Sequence, residues 1–314
     1  MRDVPGSQWT GWIYAPVWGF GRSQAGQLGN NSITDQYSPV QVGNNYWRQI
    51  STASQHSAGI QSDGTLWTWG NGLTGQLGNN STFTTISPVQ IGISSWWTNI
   101  SSSGNHMCAI QSDGTLWTWG NNGYGQLGTS DITQRMGTTQ IGSSLWKQVA
   151  CGSSHTAAIQ SNGTLWTWGG NSYGQLGNNS ISLTFSPVQI GSNLWKQVAC
   201  GYQHTAAIQS DGTLWSWGYN ACGGLGNNSS TNQSSPVQVG TSNWSVISAH
   251  ANAGTGLVCV GLLDSNNQLY TFGPTQSQAV LRFDESEPFT VPSLITKGVG
   301  YTSSTWSQIS SDSW

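Results

Sequence analysis

Charged residues are scarce in this chain of 314 residues: Asp, Glu, Lys and Arg together make up 6% of it. The eight Lys and Arg residues are scattered, and the formal net charge is −3. Proteins that hold nucleic acid need clustered cations against its phosphates, so no nucleic-acid partner is expected. Apolar runs fall far short of the roughly 20 residues that span a bilayer. We therefore predict no membrane span, and the N-terminal residues show no apolar core of a secretory signal.

Cysteine and catalytic signatures are also sparse. The five cysteines are odd in number, and no two have a CxxC spacing, so neither a disulfide framework nor a zinc site is predicted. Cys151 and Cys200 occupy the same repeat position, and we interpret them as small buried residues. The chain has no Gly-x-Ser-x-Gly, no phosphate loop and few acids. We expect a protein without enzymatic activity, metal or cofactor.

What the chain does have is a repeat of about 49 residues. A Trp followed three residues later by Ile or Val recurs at intervals of 50, 49, 49, 49 and 62 residues. These positions are Trp47, Trp97, Trp146, Trp195, Trp244 and Trp306. Each of the first four is followed by a His, an Asp-Gly or Asn-Gly pair, and Trp-Thr-Trp-Gly or Trp-Ser-Trp-Gly. Gly-Gln-Leu-Gly and Ser-Pro-Val-Gln segments complete most copies.

Each motif predicts a local structure. Asp-Gly between two β-rich runs favours a hairpin with a type I′ turn, so 155–161 and 164–168 should pair as antiparallel strands. The proline of Ser-Pro-Val-Gln suits an outer edge strand, because it lacks an N–H donor. Each copy then holds four short strands and no helical periodicity. Radial repetition of such units predicts an all-β, single β-propeller of about six four-stranded blades.

The termini are predicted to close the ring. The C-terminal segment begins a further copy and ends before its histidine position, and 8–18 supplies complementary strands, with Val17-Trp18-Gly19 aligned to Thr-Trp-Gly. Pairing of these strands removes an exposed sheet edge. A single domain spans 1–314, and its blades are 306–314 with 8–45, then 46–95, 96–144, 145–193, 194–242 and 243–305.

In combination, these in-phase motifs resemble the repeat of the regulator of chromosome condensation family. The resemblance covers nearly the whole chain and weakens in 245–305. It implies a propeller, typically of seven blades, which is the alternative to our count of six. Members include the exchange factor of the small GTPase Ran, ubiquitin-ligase modules and a bacterial β-lactamase inhibitory protein. They share a rigid disc that presents loops to a protein partner. The near-identical, Asn- and Ser-rich copies resemble bacterial or bacteriophage members.

Two sets of repeated side chains invite a functional interpretation. One histidine per copy suggests a ring of metal ligands or a channel water cluster, but equivalent positions in neighbouring blades are too widely spaced to converge on one ion. In the family this histidine has a structural role. The tryptophans would suit a glycan-binding comb, but repeat-locked positions favour core filling. We assign both sets to the structural signature: His56, His106, His155, His204, Trp69, Trp119, Trp168 and Trp217.

Two features depart from the repeat and are the candidate partner-binding residues. Trp96 stands beside the repeat's Trp97. The segment 274–300 is the only dense cluster of charge, and it lengthens its copy by about 13 residues. It is either a docking loop or a degenerate last blade. Its candidate contact residues are Arg282, Phe283, Asp284, Glu285 and Glu287.

Three functions follow from the sequence. The first is a non-enzymatic interaction or structural protein displayed on a virion (a phage tail or capsid appendage) or on an extracellular surface, with another protein as partner. The second is a regulatory protein-binding module resembling a GTPase exchange factor. The third is a glycan-binding lectin. The low charge and the polar, near-identical copies favour the first.

Overall fold

A computed structural model describes residues 15–93, 96–221, 223–251, 258–264, 268–273 and 289–294. All regular structure in these residues is β, and they contain no helix long and apolar enough to cross a membrane. The strands are β1 Ala15–Gly21, β2 Gln36–Thr52, β3 His56–Gln61, β4 Leu66–Gly70, β5 Thr85–Gln90, β6 Trp97–Ser103, β7 His106–Gln111, β8 Leu116–Gly120, β9 Arg135–Gln140, β10 Trp146–Cys151, β11 His155–Gln160, β12 Thr164–Gly169, β13 Thr184–Cys200, β14 His204–Gln209, β15 Thr213–Gly218, β16 Gln233–Ala251, β17 Val258–Asp264, β18 Leu269–Gly273 and β19 Phe289–Leu294.

Consecutive strands pair antiparallel and form four-stranded units, of which β6–β9 is a complete example. Strands β2, β13 and β16 have 17 to 19 residues, and each is the last strand of one unit and the first of the next. Strand β1 pairs with the first part of β2. The proposed closing strands, 306–314 and 8–14, lie outside the described residues.

The Asp-Gly hairpins pair as predicted, but with a different turn. Strand β11 pairs with β12 along its length, opposing Ala157 to Thr167. A type I′ turn needs positive φ at two residues, yet in the turn after β3 Gly64 has φ 83° and Asp63 is not in that region. Gly64 N donates to Gln61 O, so the loop is a type I turn followed by a left-handed glycine. The type I′ prediction was wrong, because these loops are one residue longer than a two-residue turn.

Strand β1 has a register different from the predicted one. Trp18 lies opposite Gln41, the place that the first Trp of Trp-Thr-Trp-Gly takes in a regular unit. The alignment of 17–19 with Thr-Trp-Gly was therefore wrong by two residues. The motif glycine is Gly21, with φ 106°, and Phe20 takes the place of the second Trp. Phe-Gly was not recognised as a variant of Trp-Gly.

The core lies between neighbouring units. One apolar cluster combines Ile110 and Leu116 of one unit with Val149, Ala158 and Trp168 of the next. Burial of this kind stabilises by about 25 cal/mol per Å² of apolar surface. Each unit therefore depends on its neighbours for its core, as in other repeat proteins.

Candidate functional site

A hydrogen-bonded chain links each unit to the next on the side of the sheets that carries the Gly-Gln-Leu-Gly loops. The Trp168 indole N–H donates to Gln126 O at 2.9 Å. The Thr156 hydroxyl donates to the same carbonyl at 2.7 Å, and its oxygen lies 2.9 Å from Nε2 of His106. Because the single hydroxyl proton goes to Gln126, His106 must donate through Nε2.

The same chain recurs at other unit boundaries. His155 lies 3.0 Å from the Thr205 hydroxyl, which donates to Gln175 O. The Trp69, Trp119 and Trp217 indoles donate to Gln27, Gln76 and Gln175 carbonyls. His56 differs, because Met107 stands in the place of the threonine. Both ring nitrogens of His56 are buried without a hydrogen-bond partner.

Burial keeps His56 and His155 uncharged at neutral pH. Desolvation, with a smaller contribution from His106, lowers the pKa of His56 to about 3. Desolvation likewise lowers the pKa of His155 to about 3, helped by repulsion from His204. At neutral pH both are neutral and enclosed. They are not placed to exchange protons with a substrate.

The structure also brings together three groups that sequence spacing did not connect. His106, Cys108 and Cys151 are buried, and each has a ligand atom within 4.8 Å of those of the other two. His106 and Cys108 share one face of β7, and Cys151 comes from the first strand of the next unit. A motif search missed them because their proximity depends on packing between units.

A second link joins the first strands of neighbouring units. Gln148 Nε2 donates to Val198 O at 3.1 Å, and Val198 N donates to Gln148 Oε1 at 3.0 Å. Gln49 makes the same two bonds to Ile100, at 3.0 and 3.2 Å. The amide side chain thus substitutes for an adjacent strand. We call this pair of bonds the amide clasp.

The opposite side of the sheets carries the Asp-Gly turns, at 61–65, 111–115, 160–164 and 209–213, and we call it the turn side. Trp96 lies there and is 68% exposed. The residue before the repeat's Trp is large, apolar and at least half exposed in four successive units. These residues, the apolar row, are Tyr46, Trp96, Leu145 and Leu194.

Backbone hydrogen bonds hold the row in place. The Trp96 carbonyl accepts from Ser112 N at 2.7 Å, and the Leu145 carbonyl accepts from Ser161 N at 2.9 Å. Tyr46 and Leu194 accept equivalent bonds. The row therefore presents rigidly anchored side chains at a regular spacing, one per unit.

Carboxylates flank the apolar row. The pKa of the Asp63 carboxyl lies below its usual range, because the Thr65 hydroxyl donates to it. The pKa values of Asp113 and Asp211 are lowered mainly by the backbone N–H two residues on. Basic side chains follow the repeat's Trp at three positions: Arg48 donates to Trp97 O, Lys147 donates to Trp195 O, and Lys196 is exposed. The turn side thus combines apolar anchors with charges of both signs.

The other candidate partner-binding residues, Arg282, Phe283, Asp284, Glu285 and Glu287, lie outside the described residues. The sequence analysis missed the apolar row apart from Trp96, although the repeat alignment places all four at one position. It also missed exposed apolar residues on the loop side, the opposite end of the sheets. These are Leu73, Phe83, Tyr124, Ile132 and Ile181.

Comparison with known proteins places these features in context. A family model described as an RCC1-like domain matches residues 14–258. A search of curated proteins gave no match. Among solved structures, human WBSCR16 has a TM-score of 0.66 at 25% identity, with 74% of this chain and 65% of that chain covered. This chain thus spans just under two thirds of that relative.

Two yeast structures are similar in fold. Prp20p from Saccharomyces cerevisiae, described with its binding properties to Gsp1p and histones, has a TM-score of 0.77 at 19% identity. That match covers 90% of this chain and 73% of Prp20p. Yeast RCC1 (Prp20) bound to Kap60 has a TM-score of 0.78 at 16% identity, over 100% and 82% of the two chains. At these identities the likeness concerns the fold alone.

Proposed function

The chain belongs to the RCC1-like domain family, and from this premise we propose that it is a non-enzymatic, regulatory protein-binding module. The observation that carries the proposal is the apolar row on the turn side. Prp20p and yeast RCC1 are described as binding or bound to other proteins. For this chain we infer a protein partner from the chemistry of the turn side.

The apolar row has the composition of a binding surface. Large aromatic side chains dominate the energy of protein interfaces, and Trp and Tyr are the most enriched among them. Trp96 is 68% exposed and Tyr46 is 57% exposed, while their backbones are held by hydrogen bonds to the turn of the same unit. Little conformational freedom is lost when such anchored side chains are buried, which favours affinity.

The carboxylates define the partner further. Asp63, Asp113 and Asp211 each precede the turn glycine of their own unit and remain ionised at neutral pH. A partner that covers the row with an apolar patch would have charged side chains at the rim of that patch, with basic ones opposite these carboxylates. Complementary charge of this kind raises association rates and makes binding weaken with salt.

The test compares one side of the units with the other. Trp96→Asn introduces asparagine, which is the residue at this repeat position (Asn243) in the fifth copy. Phe83→Asn is the matched change on the loop side, where Phe83 is also strongly exposed. The immobilised protein is used to capture partners, which are then purified and titrated. We expect Trp96→Asn to weaken binding about 10- to 100-fold and Phe83→Asn to leave it unchanged. Loss of binding in the Phe83 variant alone would place the site on the loop side and refute the proposal.

Exchange activity is the specific form of regulation that the family resemblance implies. It is tested by release of labelled nucleotide from small GTPases in the presence of the purified chain. Accelerated release would overturn the non-enzymatic part of the proposal. Retention of protein binding without release would support it.

The closure of the ring is also part of the proposal. We propose a closed ring of six units, in which the last copy covers the first. Display on a virion or an extracellular surface rests only on the low charge and polar repeats, and mass spectrometry of purified virions and cell-surface fractions tests it. Recovery from the cytosol alone would refute surface display.

A further inference from the structure

The buried cluster of His106, Cys108 and Cys151 has the donor set of a metal site. Each residue has a ligand atom within 4.8 Å of those of the other two, and none is more than 4% exposed. The donors come from strands β7 and β10 of adjacent units. We propose that these three side chains bind one thiophilic divalent ion, Zn²⁺, and so join the two units.

Among the described residues, the cluster occurs at one boundary between units. At the next boundary His155 and Cys200 occupy the positions of His106 and Cys151, but Ala157 stands where Cys108 would be. Only two donors are present there. The other copies also have alanine at the position of Cys108: Ala58 and Ala206. Cys108 is therefore a departure from the repeat that completes a three-donor set.

His106 has a ring nitrogen that can serve as a ligand atom, a feature that it shares with His56 and His155. His106 is fully buried, and its Nδ1 has no hydrogen-bond partner. Leaving a buried polar atom unsatisfied costs about 1–3 kcal/mol. An ion bound by the imidazole would use a ring lone pair that the protein leaves free. The Thr156 hydroxyl lies 2.9 Å from His106 Nε2, so it orients the imidazole and leaves Nδ1 as the nitrogen that can bind the ion.

The size and charge of the cluster fit zinc. Bonds of about 2.3 Å to sulfur and 2.0 Å to nitrogen put tetrahedral ligand atoms roughly 3.5–3.8 Å apart. The present separations need to shorten by about 1.3 Å at most. Two thiolates and a neutral imidazole around Zn²⁺ sum to zero charge, which suits a buried position. A site with sulfur donors and no carboxylate does not suit Ca²⁺ or Mg²⁺.

Binding is coupled to proton release. Burial raises the pKa of the Cys151 thiol well above its usual range, so the metal-free thiol is protonated. Zn²⁺ binds cysteine as the thiolate, so binding releases thiol protons to solvent. Zinc affinity should therefore fall as the pH is lowered.

The experiment uses the full chain, refolded under reducing conditions with Zn²⁺ or Co²⁺ and then desalted. We expect about one ion per chain by elemental analysis, and a thiolate-to-cobalt charge-transfer band in the absorption spectrum. Cys108→Ala introduces the residue of the other copies and should reduce the affinity at least about 10-fold. Cys200→Ala is the matched control, because it removes a buried cysteine that has only one partner donor, and it should retain the ion.

Three results would overturn the proposal. The first is a wild-type chain that binds less than about a tenth of an ion per chain. The second is a Cys108→Ala variant that binds as much as the wild type. The third is a disulfide between Cys108 and Cys151 that persists in reducing buffer, seen as resistance of both sulfurs to alkylation after unfolding. Circular dichroism checks that each variant is folded, and Cys108→Ser replaces Cys108→Ala if the latter is not.

Discussion

Replacing Asn99 with Gln should stabilise the protein, because it would complete an amide clasp that is missing from one boundary. Gln49 and Gln148 form the clasp at the same repeat position, and Gln197 accepts from Ile247 N at 3.0 Å. Asn99 is one methylene shorter, and its Oδ1 is buried without a hydrogen-bond partner. The added methylene would bring the amide within reach of the neighbouring strand.

The magnitude follows from the two bonds gained. Each intramolecular hydrogen bond contributes about 0.5–1.5 kcal/mol net, so the pair contributes roughly 1–3 kcal/mol. Ordering the longer side chain costs about 0.5 kcal/mol or somewhat more. We expect the free energy of unfolding to rise by about 1–2 kcal/mol. For a chain of this size the midpoint of thermal unfolding would rise by roughly 2–5 °C.

Urea denaturation, followed by circular dichroism, measures the change. The matched control is Gln148→Asn, which removes a clasp and should cost about as much as Asn99→Gln gains. The m-value should be the same for all three proteins, because the surface exposed on unfolding is nearly unchanged. If Asn99→Gln is neutral while Gln148→Asn destabilises by more than about 1 kcal/mol, the amide clasp is not what Asn99 lacks.

Two further predictions concern the links on the loop side. His56 and His155 have folded pKa values of about 3, below the unfolded value of about 6.5, so stability is complete above pH 7 and falls as the pH drops through 6.5 toward 3. Together they should remove about 4 kcal/mol between pH 7 and pH 5, and an unfolding free energy that is flat over that interval in urea titrations would contradict this. Gly128→Ala should cost about 2 kcal/mol or more, because its φ is 74° and a Cβ there would lie 2.8 Å from the Trp168 indole nitrogen. Gly142→Ala, with φ 55° and open space, should cost only about 1–2 kcal/mol, and equal losses in the two variants would argue against crowding at Trp168.

Much of the fold follows from the repeat itself. An Asp-Gly pair and the alternation in Trp-Thr-Trp-Gly are local signals, so the paired strands β11 and β12 could be predicted from sequence. The register of β1 could not, because Phe20 replaces a Trp and the nearby Gly19 imitates the motif glycine. The type of the Asp-Gly turns could not be predicted either, because it depends on the residues at which the strand pairing ends.

Side-chain partners between units were harder to predict. The sequence shows that His106 and His155 recur at one repeat position, but it does not show that the hydroxyl bound by each belongs to the following copy. Nor does it show that Cys108 meets Cys151, which is 43 residues away and in another unit. Such contacts depend on the packing of one sheet against the next. The apolar row was accessible in principle, because exposure alternates along a strand and all its members share one repeat position.

Three departures from the repeat, Asn99, Met107 and Cys108, fall in one unit, β6–β9. Near-identical copies carry a folding hazard, because a copy can dock on the wrong neighbour when the correct one is equivalent to it. Because of these substitutions, the contacts that unit β6–β9 makes with its neighbours differ from those between the other described copies. A misplaced copy would bring a threonine hydroxyl to Met107's place, or would leave the His106 cluster without its partner cysteine unless it were the copy that carries Cys200. The irregular unit thus gives an otherwise uniform chain a reference point for its order of assembly.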